Sequence, residues 1–451
     1  MIRKLKFYTA IFLAKAAYTA IKFLNISSGT SFAGMLALKI CPDFLGYCKK
    51  YIKNKILTVT GTNGKTTTSG LIAHILRTAY QDVIHNTEGA NMLTGAANMF
   101  ALGIKPFKHY DYAVIESDEA YLTKLYDFIK SDYLIVTNLF RDQLDRYGEL
   151  ASTADFIQNA VDKNKDLSLI LNADDPLAAD FGSKRKAVYY GFENIEYIKN
   201  CKQSNAPVEN FNCRCGKSLQ YSKHFFAQQG HYYCNCGFKR PICDYAADIK
   251  IYDEYSVMNV YHDGINFEFK IDLTGLYNAY NALAAIAFSF ENGLNQAEIQ
   301  KAFDSYKSIF GRAEKRMING HPAIIQLIKN PTGAGEVLKT VDLKSNIIIA
   351  INDNYADGRD ISWLWDSDFE QLKNAEKPII TSGIRANDMA VRLKYADIPQ
   401  ENIIIEPSLT KAINRVSQPL NGEHITILPS YTALLQLNKI KIHEKKGKQC
   451  Y

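Results

Sequence analysis

The most informative stretch of the chain reads Lys55-Ile56-Leu57-Thr58-Val59-Thr60-Gly61-Thr62-Asn63-Gly64-Lys65-Thr66-Thr67-Thr68. Its first six residues are mostly apolar or β-branched, which predicts a buried strand. After Ser69, apolar residues recur at helical spacing, as Leu71, Ile72, Ile75 and Leu76, which predicts a helix. A glycine loop between a strand and a helix N-terminus binds phosphate, because backbone N–H groups and the helix dipole attract an anion.

The loop therefore predicts a nucleotide site formed by Gly61, Thr62, Asn63, Gly64, Lys65, Thr66 and Thr67. We expect Lys65 to reach the outer phosphates and Thr66 to bind Mg²⁺. The spacing Gly-x-x-Gly-Lys-Thr is a variant of the common Gly-x-x-x-x-Gly-Lys-Thr, because Val59 stands where that pattern has its first glycine. A purely structural turn is the alternative interpretation.

Composition is typical of a soluble globular protein with two or three domains, and we expect a cytoplasmic location. The chain has 451 residues, of which 47% are hydrophobic and 22% are charged. Its formal net charge is +6, with basic clusters at residues 3–6 and 445–448 near the two termini. Residues 1–24 predict a basic amphipathic helix, and the uncharged run between Lys6 and Lys15 is too short to span a bilayer. This helix would either pack on the next domain or lie on an anionic membrane surface.

Four of the nine cysteines form two Cys-x-Cys-Gly turns, Cys213/Cys215 and Cys234/Cys236. A glycine follows each pair, where a tight metal-binding turn needs backbone freedom. Four thiolates suit tetrahedral Zn²⁺, so the pattern predicts a structural zinc ribbon inserted at about residues 198–245. A redox dithiol or free thiols are the alternative, and Cys201 or Cys243 could replace one ligand.

Strands and helices alternate after the loop, which predicts a mostly parallel sheet. Residues 111–115 read as a buried strand that ends at Glu116, so its carboxylate would lie at the edge where α/β sheets bind ligands. We expect Glu116 to bind Mg²⁺, with a solvated acidic turn as the alternative. Strands predicted at 346–351, 378–381, 402–405 and 425–428, with a helix at 386–395, indicate a smaller second α/β domain.

The motifs along the chain resemble those of the Mur ligase family. They are Gly61–Thr66, Glu116, Thr137-Asn138 with Asp142 and Asp145, Leu171–Pro176, Asn278–Ala282 and Gly311–Glu314. The cysteine turns and the run Asn352–Trp363 are similar to one subgroup, the ligase subunits of lipid II isoglutaminyl synthase. The resemblance implies an α/β fold with three parts: a basic helical segment (1–50), a central ATP-binding domain (51–310) and a Rossmann-like C-terminal domain (311–451).

The same resemblance implies roles for further residues. Asn281 would lie against the adenine of ATP, and Arg312 would reach its phosphates. His85–Asn91 would face the acceptor substrate. Asp360 would reach a glutamine amidotransferase partner of the GatD type in a heterodimer and orient a histidine there, with Asp357 and Asp353 as the next candidates. Lys65 and Glu116 would serve catalysis together with Mg²⁺.

Three departures from the wider family are visible. Gln143 follows Asp142 where many members have histidine, and Leu327–Pro331 replaces a motif that serves amino-acid-adding enzymes. No lysine stands out as the carbamylated lysine of those enzymes. Because the phosphate loop begins at residue 61, we also expect no full UDP-binding domain ahead of it. These features imply a lipid-linked acceptor and ammonia as the nucleophile.

The function implied is ATP-dependent amidation of the D-glutamate of lipid II, at the inner membrane surface and without nucleic acid. Two alternatives remain. One is an amino-acid-adding ligase, such as a folylpolyglutamate synthase, which the predicted zinc ribbon and the Asp353–Trp365 run disfavour. The other is a nucleic-acid-binding ATPase that uses the ribbon, although its aromatic residues have few basic neighbours.

Overall fold

A computed structural model describes most of the chain. The described residues are 2–23, 31–86, 91–105, 107–140, 150–198, 212–252, 255–273, 275–307, 312–417 and 423–440. The helices are α1 Ile2–Phe23, α2 Phe32–Ile40, α3 Phe44–Cys48, α4 Lys65–Thr78, α5 Leu93–Gly103, α6 Glu119–Phe128, α7 Leu150–Lys163, α8 Pro176–Asp180, α9 Leu276–Glu291, α10 Gln296–Ser305, α11 Pro331–Lys339, α12 Ala386–Tyr395, α13 Leu409–Val416 and α14 Tyr431–Lys439. Short 3₁₀ helices occupy Lys49–Tyr51, Ser362–Leu364, Phe369–Leu372 and Gln400–Asn402.

The strands form three sheets. They are β1 Ile52–Thr60, β2 Val83–His85, β3 Tyr110–Glu116, β4 Tyr133–Val136, β5 Ser168–Asn172, β6 Ala187–Tyr197, β7 Gln220–Phe226, β8 Gln229–Tyr233, β9 Tyr245–Ile251, β10 Ser256–His262, β11 Ile265–Ile271, β12 Arg312–Ile318, β13 His321–Gln326, β14 Asn346–Ala350, β15 Ile379–Ser382, β16 Ile403–Ile405 and β17 Ile425–Pro429.

The central sheet has nine strands in the order β11-β10-β9-β6-β5-β4-β1-β3-β2. Strands from β2 to β9 in this order pair in parallel, and only β10 and β11 add antiparallel edges. The strand β1, which leads into the phosphate loop, lies between β3 and β4. The second half of β1, from Ile56 to Thr60, is fully buried, as its apolar sequence predicts for a parallel strand covered on both faces.

Helices cover both faces of this sheet. The apolar residues Leu71, Ile72, Ile75 and Leu76 of α4 are buried against it, and α9 packs beside α4. On the other face, α1 buries Phe7, Ala10, Ile11 and Ala14 against α2 and α5. Of the two roles expected for the N-terminal helix, packing is therefore observed. None of the described helices is both long enough and apolar enough to cross a bilayer.

The second sheet has six strands in the order β12-β13-β17-β14-β15-β16, and only the β12–β13 pair is antiparallel. Each of the four strands expected between residues 346 and 428 is present, and α12 matches the expected helix. The α/β class with mostly parallel sheets is confirmed. The third sheet is the β7–β8 hairpin, which lies within the cysteine-containing insertion.

Candidate active site and metal centre

The phosphate loop requires glycine at two positions. Gly61 and Gly64 have φ angles of +123° and +86°, which side-chain-bearing residues rarely adopt. A Cβ atom on Gly64 would lie 2.0 Å from Asn281 Oδ1, and one on Gly61 would lie 2.3 Å from Thr137 Oγ1. The two glycines therefore let a polar side chain that follows β4 and another from α9 approach the loop backbone closely.

Residues just after β4 hold the loop in place. Asn138 Oδ1 accepts a hydrogen bond from Asn63 N at 2.9 Å, and Asn138 Nδ2 donates to Asn63 O at 3.0 Å. Thr137 Oγ1 donates to the same carbonyl at 2.7 Å. The Thr137-Asn138 pair, which the sequence offered only as part of the family pattern, thus fixes the loop conformation.

Lys65 begins α4 and its ammonium group is buried at the loop. Its Nζ lies 2.6 Å from Gly61 O and forms a 2.9 Å ion pair with Glu119 Oε1. Glu119, at the start of α6, is 3% exposed, and Lys65 is 7% exposed. The sequence does not indicate that Glu119 would pair with Lys65, because that contact depends on how α6 packs beside the loop.

The two predicted Mg²⁺ ligands come together. Thr66 Oγ1 lies 3.1 Å from Glu116 Oε1, although fifty positions separate them in sequence. The side chain of Asn86, after β2, accepts from Glu116 N at 2.7 Å and donates to Glu116 O at 2.9 Å, which holds the end of β3. A hydroxyl and a carboxylate beside a phosphate-binding loop are oxygen ligands of the type that Mg²⁺ prefers, so these residues fit the ion. Asp118, by contrast, caps α6 by accepting from Ala120 N.

His85 ends β2 beside α4. Its Nε2 lies 3.2 Å from Ser69 Oγ. Burial, with a smaller effect from Arg77, lowers the pKa of His85 to about 3, so the ring is neutral at physiological pH. Within the expected acceptor-facing loop His85–Asn91, residues 87–90 lie outside the described residues.

A cleft opens between the phosphate loop, α9 and the second sheet. Its lining includes Gly64, Asn281, Phe226, Gln229 and Glu336. Asn281 Oδ1 accepts from Thr68 Oγ1 at 3.2 Å, and its Nδ2 is buried. Asn281 therefore lies at the same cleft as the loop, and its contact with the base of ATP stays a prediction of the family resemblance.

The second α/β unit meets the loop through Asn330. Asn330 Nδ2 donates to Asn63 Oδ1 at 3.0 Å, while Asn330 Oδ1 accepts from Gly333 N at 2.8 Å and caps α11. Lys329 Nζ lies 3.4 Å from Thr62 O. The sequence Leu327–Pro331, which departs from the wider family, therefore supplies direct contacts to the phosphate loop.

The four predicted zinc ligands converge. The sulfur atoms of Cys213, Cys215, Cys234 and Cys236 all lie within 4.8 Å of one another, with Sγ–Sγ distances of 3.5 Å for Cys213–Cys236 and 3.6 Å for Cys215–Cys234. Sulfurs about 2.3 Å from a tetrahedral zinc would be roughly 3.8 Å apart, so the cluster fits Zn²⁺. Cys243 lies outside the cluster, and Cys201 is outside the described residues.

The two cysteine turns have the same hydrogen-bond pattern. Gly216 N donates to Cys213 O at 2.8 Å and Gly237 N donates to Cys234 O at 3.0 Å, and both glycines have positive φ. The Phe238 N–H, together with neighbouring thiols, lowers the pKa of Cys236 to about 7, which favours a thiolate. The glycines stand where the sequence requires them for a metal-binding turn.

The β7–β8 hairpin projects from this cluster to the cleft, which sequence reasoning did not anticipate. Its two-residue turn, Ala227-Gln228, is anchored by the Asp174-Asp175 motif: Gly230 N donates to Asp174 O at 3.0 Å, and Gln228 Nε2 donates to Asp175 Oδ2 at 3.2 Å. Asp174 also accepts from Arg240 Nε at 2.6 Å and from Tyr280 OH at 2.8 Å. The motif therefore ties the insertion to the central sheet.

The three candidate aspartates after β14 differ in their surroundings. Asp353 pairs with Arg385 at 2.6 Å, and Asp357 Oδ1 accepts from Thr432 N at 2.7 Å, so both are buried and hold the loop to the domain. Asp360 is partly exposed and accepts from Ser362 N and Oγ at 2.8 and 2.9 Å. Trp363 is buried in the core, whereas Trp365 is 52% exposed.

Other predicted residues are outside the description. Asp142 and Asp145 lie in the stretch 141–149, and only the backbone of Arg312 is described, where it pairs with Gln326 at the start of β12.

Comparison with known proteins identifies the family of this chain. A family model described as Mur ligase middle domain matches residues 59–215, and one described as MurT ligase C-terminal matches residues 327–434. The chain is 36% identical to the lipid II isoglutaminyl synthase (glutamine-hydrolyzing) subunit MurT of Staphylococcus aureus (strain COL), covering 96% of this chain and 98% of that one. The chain belongs to the MurT group of the Mur ligase family.

Two further comparisons agree. The MurT subunit of Streptococcus pneumoniae (strain ATCC BAA-255 / R6) is 34% identical over 92% of this chain and 93% of its own length. The fold is similar to that of a pseudomurein peptide ligase type C from Methanothermus fervidus, with a TM-score of 0.67 and 23% identity, over 87% of this chain and 80% of that one. As a member of the MurT group, the chain is a Mur-type, ATP-dependent ligase of peptidoglycan synthesis.

Proposed function

We propose that this chain amidates the α-carboxylate of the D-glutamate in the lipid II stem peptide and converts it to D-isoglutamine. The observation that carries the proposal is the meeting of Lys65, Thr66 and Glu116 at one phosphate loop, in a chain that aligns with MurT subunits over nearly its whole length. The identity of the acceptor rests on those relatives' names.

The reaction would proceed in two steps. The acceptor carboxylate attacks the γ-phosphorus of ATP and releases ADP, which gives an acyl phosphate; ammonia then attacks the acyl carbon and releases phosphate. Lys65 and Arg312 would stabilise negative charge on the transferring phosphoryl group. Thr66 and Glu116 would hold Mg²⁺, which supplies neutralising charge to the nucleotide phosphates.

The Asn63–Asn330 pair supports a closed site. Because Asn330 caps α11 and also contacts the loop, nucleotide at the loop and residues of the second unit would share one cleft. Excluding water from that cleft would protect the acyl phosphate from hydrolysis. Asn281 would lie against the base of ATP.

The ammonia would come from a glutamine amidotransferase partner of the GatD type, in a heterodimer. An exposed apolar surface near the loop after β14, which carries Asp353, Asp357 and Asp360, supports such an interface. Tyr355 is 83% exposed, Tyr395 is 70% exposed, and Trp365 contacts Tyr395 with ring centroids 5.5 Å apart. Exposed aromatic residues are common at the centres of protein interfaces.

The N-terminal helix would bring the enzyme to its lipid-linked substrate. On α1, Leu5, Tyr8 and Phe12 are 68%, 49% and 70% exposed, and their spacing places them along one helical face. Lys4 and Lys6 are exposed beside them. An apolar face with basic neighbours is typical of a helix that lies on an anionic membrane.

Zn²⁺ would be held by the four-cysteine cluster in a structural role.

The test is reconstitution. The chain, purified with its amidotransferase partner, should convert a lipid-linked acceptor to a product lighter by about one mass unit, since OH is replaced by NH₂, with either glutamine or ammonium as the nitrogen source. Glutamine should require the partner, whereas ammonium should not. Addition of an amino acid instead of ammonia would indicate the amino-acid-adding alternative. ATP hydrolysis stimulated by nucleic acid, with a strong salt dependence of binding, would indicate the nucleic-acid alternative.

A further inference from the structure

The side chain of Gln229 has an unusual environment. It is fully buried at the cleft, and neither its Oε1 nor its Nε2 has a hydrogen-bond partner among the described residues. Asn281 lines the same cleft, and its Nδ2 is likewise without a partner in that part of the chain. Buried amides are nearly always hydrogen-bonded, so two such amides at one cleft indicate a polar ligand.

Aromatic side chains accompany these amides. Phe226 lines the cleft, and its ring centroid lies 5.4 Å from that of Phe140 and 6.3 Å from that of Tyr280. All three rings border the cleft that also contains Gly64 of the phosphate loop. Aromatic rings beside a donor–acceptor amide are what recognise a nucleobase, through stacking and edge hydrogen bonds.

The hairpin holds Gln229 firmly. On one side, Gln228 Nε2 donates to Asp175 Oδ2 at 3.2 Å and Gln228 O accepts from Tyr221 OH at 2.8 Å. On the other side, Gly230 N donates to Asp174 O at 3.0 Å. Because both neighbouring residues are hydrogen-bonded, the backbone at Gln229 is held in place beside the cleft that this residue lines.

We propose that the tip of the cysteine-bearing hairpin reads the base of the nucleotide: Gln229 pairs with the edge of adenine, and Phe226 packs against its face. The inference rests on the proposed function, in which this cleft takes ATP. An amide matches adenine because its oxygen accepts from the N6 amino group while its nitrogen donates to a ring nitrogen. The insertion then contributes to the nucleotide site in addition to binding a structural metal ion.

The test is a change of base preference in the full-length, zinc-loaded chain. In Gln229→Glu, the carboxylate cannot donate to adenine, but it can accept from the N1 and N2 hydrogens of guanine. Calorimetric titration with non-hydrolysable ATP and GTP analogues should show a loss of ATP affinity of roughly tenfold or more, with the ATP-to-GTP preference shifted toward GTP. Gln229→Met should lose ATP affinity without that shift. Gln220→Glu, on the exposed start of the same hairpin, should behave as wild type.

Unchanged affinities in Gln229→Glu would overturn the inference. A second measurement does not depend on folding of the variants: 8-azido-ATP should photolabel the hairpin segment 220–233 of the wild-type chain, and labelling confined to other segments would also overturn it. Failure of the proposed function looks different. In that case, the wild-type chain would not bind the ATP analogue, or its binding would not depend on Lys65.

Discussion

Lys65 and Glu119 form a buried ion pair at the phosphate loop, 2.9 Å apart. Lys65→Ala should therefore abolish ATP-dependent amidation for two reasons: it removes a charge from the nucleotide phosphates, and it leaves the Glu119 carboxylate buried without its partner. Breaking a buried pair from one side costs roughly 3–5 kcal/mol. We expect both the turnover and the free energy of unfolding to fall, as measured by product formation and by urea unfolding.

The double variant Lys65→Met/Glu119→Gln separates these effects. Without either charge, the site should recover most of the lost stability, because no charged group remains buried alone. Its amidation rate should stay as low as that of Lys65→Ala. Wild-type turnover of either variant at saturating ATP would contradict the role of Lys65 in the reaction.

His85 gives a prediction about pH. Its pKa of about 3 in the folded chain lies below its ordinary value of 6.5, so protons bind the unfolded chain preferentially. The stability that neutral His85 contributes is present above pH 6.5 and is lost as the pH falls from 6.5 toward 3. Between pH 7 and pH 5, the wild-type free energy of unfolding should fall by about 2 kcal/mol more than that of His85→Gln. Equal slopes in urea unfolding across this range would show that His85 ionises freely.

Individual residues were predictable where local sequence determines their position. Lys65 and Thr66 follow from the loop, and Glu116 follows from its place at the end of a buried strand. The Lys65–Glu119 pair and the position of Gln229 could not be predicted, since both depend on contacts between elements distant in sequence. Glycine spacing indicated where positive φ was needed, but not that Asn281 and Thr137 would occupy the space next to those glycines.

At the scale of elements, the cysteine turns and the hairpin between them act together. We expect one tightly bound Zn²⁺ per chain, and Cys236→Ser should release it and lower the thermal unfolding temperature. Because the hairpin tip carries Phe226 and Gln229 to the cleft, nucleotide affinity should also fall. The amidation rate at saturating ATP should change little, so the main effect of the substitution should be on the unfolding temperature. Metal analysis by mass spectrometry and calorimetry of nucleotide binding would check these outcomes.

Cys243→Ser is the matched control, because Cys243 follows the same module but lies outside the cluster. It should keep its zinc. Protein prepared without chelator that contains no zinc would contradict the metal assignment. The sequence indicated the module because its spacing and glycines are local features. Its docking on Asp174 and Asp175 was not predictable, because nothing in the hairpin sequence identifies the surface that receives it.

At the scale of the molecule, two sheets and the hairpin meet at one cleft. The alternation of strands and helices predicted both sheets, since apolar strands that alternate with amphipathic helices are most readily buried in a parallel sheet covered by helices on both faces. It did not predict that Asn330, from the second unit, would contact Asn63 of the loop. The loop after β14, which carries Asp353, Asp357 and Asp360, lies on the second unit beside exposed aromatic residues. A partner subunit that binds there would contact this loop.

Within that loop, Asp360 is the aspartate best placed to act on a partner. Asp353 and Asp357 are buried in contacts with Arg385 and Thr432, whereas Asp360 is partly exposed and accepts hydrogen bonds from nearby Ser362. A carboxylate that orients a partner's histidine fixes the tautomer and stabilises the imidazolium, and its loss in comparable triads costs up to roughly 10⁴-fold. Asp360→Asn should therefore leave ATP binding and complex formation intact and strongly reduce glutamine-dependent amidation, with partial rescue by free ammonia.

Asp357→Asn is the comparison on the same loop. It should weaken the anchor to Thr432 and lower the unfolding temperature, which Asp360→Asn should not do. Amidation assays with glutamine and with ammonium, run on the same complex, then decide the role of Asp360. If Asp360→Asn loses both activities equally, the carboxylate serves the ligase site of this chain. The glutaminase site of the partner would then not use Asp360.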